Sequence, residues 1–224
     1  DELALRRKLP EARLYLSSGM ENPLARLLSR FGYEFSNVYA NISSSPVRGL
    51  DGIVQIDTLK TPSVQLDEIR FDVSSDIDNT SYELKVANGK DNPQYSFTAR
   101  LAGEMLANGS SATLTIDDKD GRRGIDIGLS ALMEADGIRM KIAEREQILG
   151  YRAFRPNEGN YVFFGKGMRV AADLKLQADD GTGVQIYTND DNLEALQDIT
   201  LSLHKLDLAG LLSVVPYTPD ITGV

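Results

Sequence analysis

Met168-Arg169-Val170-Ala171-Ala172-Asp173-Leu174-Lys175-Leu176-Gln177 alternates apolar and polar side chains along nearly its whole length. Met168, Val170, Ala172, Leu174 and Leu176 fall on one side, and Arg169, Asp173, Lys175 and Gln177 on the other. A period of two marks an extended chain with one face turned from water, because successive side chains of a strand point to opposite faces. The same alternation appears at Ile69, Phe71 and Val73, at Tyr82, Leu84 and Val86, and at Tyr95, Phe97, Ala99 and Leu101. It continues at Ala112, Leu114 and Ile116, at Ile125, Ile127 and Leu129, at Ile138, Met140 and Ile142, and at Ile199, Leu201 and Leu203. Asn88-Gly89, Asn108-Gly109, Asp120-Gly121, Asp136-Gly137 and Asp180-Gly181 separate these runs. Asx-Gly pairs supply the positive φ that tight hairpins require. Strand, turn and strand at regular spacing predict a mainly β chain folded as a long antiparallel meander.

Short helices interrupt the pattern. Asn22-Pro23 places a capping side chain before a proline suited to the first helical position, and Gly32 ends the segment. Leu24, Leu27, Leu28 and Phe31 share one face of this predicted helix, at about 23–31. Asp207 followed by Leu208–Val214 and Pro216 predicts a second, and Asn192–Leu196 a single turn. The loop-rich cluster Asn41–Gly52 suggests a division into an N-terminal element at 1–50, a main meander at 51–205, and a terminal segment at 206–224 where a further repeat begins.

Composition narrows function. Twenty-four Lys and Arg against 33 Asp and Glu give a net charge of −9, the wrong sign for phosphate backbones or anionic membrane surfaces. Hydrophobic residues at 42% with 19 Gly suit an ordered globular chain. The absence of cysteine excludes disulfides, thiolate metal sites and a cysteine nucleophile. No run of 18 apolar residues is present. The chain opens charged, without a signal peptide, and closes abruptly at Asp220–Val224, which reads as a piece of a longer protein.

The catalytic inventory is thin. The single histidine, His204, follows Leu203 and alternates to the face opposite Leu201 and Leu203, toward solvent. Carboxylates cluster at Asp117–Gly121, Asp179–Gly181 and Asn189–Asn192, where turn chemistry alone favours Asp and Gly. Tyr151, Phe154, Tyr161, Phe163 and Phe164 form an aromatic cluster suited to packing in a core or on a sheet face. No cofactor or metal site is expected. What remains is a long sheet with an apolar face and little to cover it. Such a sheet closes as a sandwich or barrel with a dry core, or curves into a trough that holds a ligand with hydrocarbon chains.

Several segments carry a resemblance: Asn22-Pro23 with Phe31-Gly32-Tyr33; Gly49–Gly52; Val86–Gly89; Ile148–Tyr151 with Phe154, Asn157 and Asn160; Ala178–Val184; Leu196–Thr200; and Val215–Gly223. In order and spacing, from about Asn22 to Val224, they resemble an internal portion of the TamB/AsmA-like translocation and assembly module proteins of the Bacteroidetes type. The resemblance implies a β-taco-like trough in the periplasmic portion of an inner-membrane-anchored, Gram-negative cell-envelope protein. It also implies a BamA-like outer-membrane barrel partner, and phospholipid or nascent outer-membrane protein as hydrophobic cargo. On that reading the chain is non-enzymatic. The inward residues expected to line the groove are Ile125, Ile127, Leu129, Ile138, Met140, Ile142, Met168, Val170, Leu174 and Leu176. The alternatives are a β domain with a closed core that pairs with a partner through its sheet edges, and a glycan hydrolase using Asp118 or Asp180.

Overall fold

A computed structural model describes residues 9–19, 21–76, 79–106, 108–188, 198–205 and 214. The chain is 67% strand and 4% helical, which sets its class as mainly β. Fifteen strands follow as an antiparallel meander, with one α-helix and one short 3-10 turn among the described residues. The chain falls into two compact units, Asp1–Ala107 with Ile116–Arg122 and Asn108–Thr115 with Arg123–Val224.

The first unit holds β1 (Ala12–Ser18), α1 (Pro23–Ser29), β2 (Glu34–Ser45), β3 (Gly49–Lys60), β4 (Gln65–Ser75), β5 (Thr80–Asn88) and β6 (Phe97–Leu106). β1 through β5 each pair with their successor, all antiparallel. Register places Leu14, Ile42, Val54, Phe71, Leu84 and Leu101 on one face. Arg70, Asp72, Glu83 and Arg100 stand on the other and form ion pairs of 2.7 Å, Arg70 with Asp72 and Arg100 with Glu83. The helix forms where predicted, with the Asn22 side chain accepting from the Ala25 N–H at 2.8 Å. It buries Ala25, whereas Leu27 and Phe31 of its expected apolar face stay exposed. The Asn41–Gly52 cluster is strand except for a turn at 46–48, because Ser43, Ser44 and Ser45 pair with Asp51, Leu50 and Gly49.

A crease crosses this unit. Asn37 and Glu68 have φ of 42° and 46°, a left-handed conformation that non-glycine residues rarely adopt. Both occupy the row on which β3 contributes Asp57, and the Asn37 amide donates to the Asp57 carboxylate at 2.8 Å. Beyond the crease, the buried Asn88 side chain accepts from the Asp67 N–H at 2.8 Å and donates to the Gln65 carbonyl at 3.1 Å. Asn88 therefore extends the β4 ladder instead of forming the tight hairpin expected at Asn88-Gly89, and residues 89–96 make the connection. Asn92 pins that loop by accepting from the N–H groups of Gln94 and Tyr95. Tyr95 accordingly stands ahead of β6 rather than in it.

The second unit holds the first part of β7 (Gly109–Asp117), then β8 (Arg123–Glu134), β9 (Gly137–Ile142), β10 (Gln147–Leu149), β11 (Arg152–Pro156), β12 (Tyr161–Gly165), β13 (Arg169–Gln177), β14 (Gly183–Thr188) and β15 (Ile199–His204). β9 and β10 both pair with β8, and β11 and β12 both pair with the same side of β13. Each of these pairs is thus one long strand broken in the middle. The 3-10 turn Lys166–Met168, which has Gly167 at φ 72°, ends before β13. Met168 consequently closes that turn instead of opening the strand. The further helix expected at Leu208–Val214 and the turn at Asn192–Leu196 lie outside the described residues, Val214 apart.

Candidate functional site: the apolar face of the second unit

Register brings the predicted groove residues together. Leu129 pairs with Ile142, Met133 with Ile138, Ile138 with Phe164, Phe164 with Val170, and Leu174 with Ile186. Residues directly opposite in an antiparallel pair point to the same face. Ile125, Ile127, Leu129, Ile138, Met140, Ile142, Val170, Leu174 and Leu176 therefore share one face, and the same parity adds Met133, Val162, Phe164, Leu201 and Leu203. Met168, in the 3-10 turn, stands off this alternation. The opposite face carries Asp126, Arg139, Lys141, Asp173, Lys175 and Gln177.

The face is unevenly covered. Ile125, Phe154 and Leu176 are buried, and Phe154, Leu176 and Ala178 form a dry cluster packed against Ile142 and Leu149. Ile127, Val170 and Leu174 are half-buried. Toward the Ala135-Asp136 turn the cover ends: Met133 is 60% exposed, Phe164 47% and Ile138 44%, with Leu129 and Met140 also open. Of the aromatic cluster, Phe154 and Phe163 are buried on opposite faces, while Phe164 looks outward on the open stretch.

The covered part lies beside two strand breaks. Between the pairs Leu129–Ile142 and Asp126–Ile148, two residues of β8 oppose five of the β9–β10 strand. Between Leu176–Pro156 and Asp173–Tyr161, two residues of β13 oppose four of the β11–β12 strand. Surplus chain in the two middle strands must leave the sheet plane, as in a β-bulge. Backbone groups at the breaks lose their ladder partners, and side-chain amides replace them. Asn160, 0% exposed, accepts from the Ile142 N–H at 2.8 Å and donates to the Ile142 carbonyl at 2.9 Å. Gln147, also 0% exposed, accepts from the Gly128 N–H at 2.8 Å and donates to the carbonyls of Ala143 and Arg145. Asn157 accepts from the Lys175 N–H at 2.8 Å, and its own N–H donates to the Lys175 carbonyl at 2.9 Å. Each buried polar group finds a partner, which is what makes the breaks tolerable. The alternation does not foretell these breaks. The one signal is the polar interruption at Ala143-Glu144-Arg145-Glu146 and Asn157-Glu158-Gly159-Asn160.

Charges on the polar face are engaged with one another. Arg139 pairs with Glu134 at 2.6 Å and lies over the rings of Tyr161 and Phe163, 4.6 and 5.1 Å from their centroids, which covers Phe163. The Arg139 hydrogen bond holds the Glu134 carboxyl below its ordinary value. Asp180 is held low chiefly by the Thr182 N–H. Asp118 accepts from the N–H groups of Asp120 and Arg122, so these two carboxylates carry turn roles. His204 is exposed at the end of β15. Asp190 and Asp191 lie outside the described residues. Among the described residues no three His, Cys, Asp or Glu side chains gather to hold a metal ion, and no helix is long and apolar enough to cross a membrane. No family model, curated protein or solved structure matches this chain.

Proposed function

We propose that this chain is a non-enzymatic β module of a TamB/AsmA-like cell-envelope protein, in its periplasmic portion, binding acyl chains or nascent outer-membrane strands along an apolar face. The observation that carries the reading is the open stretch at Leu129, Met133, Ile138, Met140 and Phe164, contiguous in register on one face. Contiguous exposed apolar side chains of this kind mark interaction surfaces. Hydrocarbon gains about 0.8 kcal/mol per CH₂ wherever it lies on such a surface, so movement along the face is close to neutral and needs no nucleophile or metal. The segment resemblance supplies the setting: an anchor in the inner membrane of a Gram-negative bacterium and a BamA-like barrel at the outer membrane. Native mass spectrometry of the purified chain, with extraction of bound lipid, tests the proposal. Co-purifying phospholipid that is lost in Ile138→Asp supports it, and a lipid-free, folded chain contradicts it.

A second reading is favoured by β1, which pairs only with β2 among the described residues and exposes Leu14, Tyr15 and Leu16. A partner strand added to that edge would bind independently of lipid, and proline at Leu14 would abolish its binding.

A further inference from the structure

We propose that a second copy of this chain pairs with the outer edge of β15, antiparallel and two-fold about Leu201. Among the described residues β15 pairs only with β14, so its other side carries no strand. Ile199–His204 holds no proline, lysine or carboxylate, the residues that keep edge strands from pairing. Ile199, Leu201 and Leu203 are 54%, 60% and 55% exposed. The next described residue along the chain, Val214, is buried against Gly124 of β8, with β10, β11, β13 and β14 between it and this edge.

The occupant follows from the edge itself, which is its own complement. Turned end for end about Leu201, Leu201 meets Leu201, Ile199 meets Leu203, Thr200 meets Ser202 and Asp198 meets His204. Parity keeps the aliphatic residues on one face, where side chains directly opposite cover each other, and sets the Asp198–His204 pairs on the other. Two-fold symmetry forms each unlike pair twice. Moving the axis to Thr200 or Ser202 loses both Asp–His pairs. Asp198 and His204 are exposed and make no ion pair within the chain among the described residues. In its own chain His204 shares a row with Arg155, Gln177 and Gly183, and Lys205 follows it, so Asp198 of the second copy supplies the carboxylate that its row lacks. The contact is independent of lipid.

The experiment is sedimentation velocity of the whole chain at about pH 6, where histidine is largely charged. Concentrations run to about 0.1 mM, because an edge contact of this size associates weakly. Wild type should pass from monomer to dimer. His204→Ala should weaken the dimer about tenfold, the equivalent of about 1.4 kcal/mol divided between two symmetric pairs. His204→Asp should abolish it by setting carboxylates opposite each other, and Asp198→Lys added to His204→Asp should restore it. Directly opposite Cα atoms of antiparallel strands lie about 4.5–5.5 Å apart, within disulfide reach. Leu201→Cys should therefore cross-link copies on oxidation with copper phenanthroline, far faster than Leu14→Cys on β1. A chain that is monomeric at every concentration, with its fold confirmed by circular dichroism, overturns the proposal. So does a dimer that neither His204 variant weakens and Leu201→Cys does not cross-link, which would place the contact on another surface.

Discussion

The two units carry the same alternating pattern and handle it differently. In the first, six strands pair in unbroken succession, and the apolar residues buried among those described are small: Ala25, Ala40 and Val73. In the second, two middle strands break, and Ile125, Phe154, Phe163 and Leu176 are buried. Both contain a line of irregular backbone repaired by side-chain amides, Asn88 in one and Gln147, Asn157 and Asn160 in the other. The crease at Asn37 and Glu68 keeps residue-for-residue register, whereas the breaks at 143–146 and 157–160 add chain. Leu176 of the buried cluster pairs with Pro156 at the edge of the 157–160 break. Alternation fixes which side chains share a face and says nothing about what lies over them.

The largest effect should come from the covered cluster. Phe154→Ala should cost about 3–5 kcal/mol in urea denaturation, as for an aromatic deleted from a core. Leu84→Ala, on the more open face of the first unit, should cost only about 1 kcal/mol, since its side chain is already partly wet. Equal losses would erase the distinction between the units.

Next in size is the amide repair. Asn160→Ala strands the N–H and carbonyl of Ile142, at about 2–3 kcal/mol for buried groups left unpaired. Hydrogen exchange at the Ile142 amide should accelerate with it, and the Leu84 amide should keep its protection. Unchanged exchange at Ile142 would mean that water replaces the Asn160 amide without penalty.

The crease offers a test of opposite sign. Glu68 has φ of 46°, and a left-handed non-glycine residue carries about 1–2 kcal/mol of strain. Glu68→Gly should therefore stabilise the first unit by up to about 1 kcal/mol, while glycine at the regular strand position Glu83 should destabilise it by about as much. Destabilisation at both sites would show that the crease is not strained.

The smallest effect is electrostatic. The hydrogen bond from Arg100 holds the Glu83 carboxyl below its ordinary value. A carboxyl whose pKa is lowered on folding adds stability above its unfolded pKa and loses it as pH falls through the folded one. Glu83→Gln should flatten that part of the acid limb, by less than about 1 kcal/mol because both partners are well exposed. An acid limb identical to that of wild type would show that the pair contributes nothing.

How much of this was legible in the sequence follows from which physics is local. Parity is local, so the runs at Ile69, Tyr82, Ile125, Ile138 and Val170 became strands, and nine of the ten residues expected in a groove share a face. Capping is local too, and Asn22-Pro23 set the helix start. Asx-Gly turns were right at Asp120-Gly121 and Asp180-Gly181, where Gly121 and Gly181 have φ of 75° and 83°. Asp136-Gly137 differs slightly. Gly137 already pairs with Glu134, and a side chain there would strike the Phe164 carbonyl, so the turn residues are Ala135 and Asp136. Asn88, Gln147 and Asn160 were illegible because each bonds a partner 18 to 23 residues away, across strands whose register the pattern does not specify.

The most direct test of an open apolar face is thiol reactivity, since the chain has no cysteine of its own. Single cysteines at Leu84, Ile138 and Leu176 would be labelled with a maleimide, with and without phospholipid monomer. The account predicts fast labelling at 84 and 138, slowed by lipid at 138, and no labelling at 176 without denaturant. Labelling at 138 as slow as at 176, in a folded chain, would contradict it and make the face a sealed core.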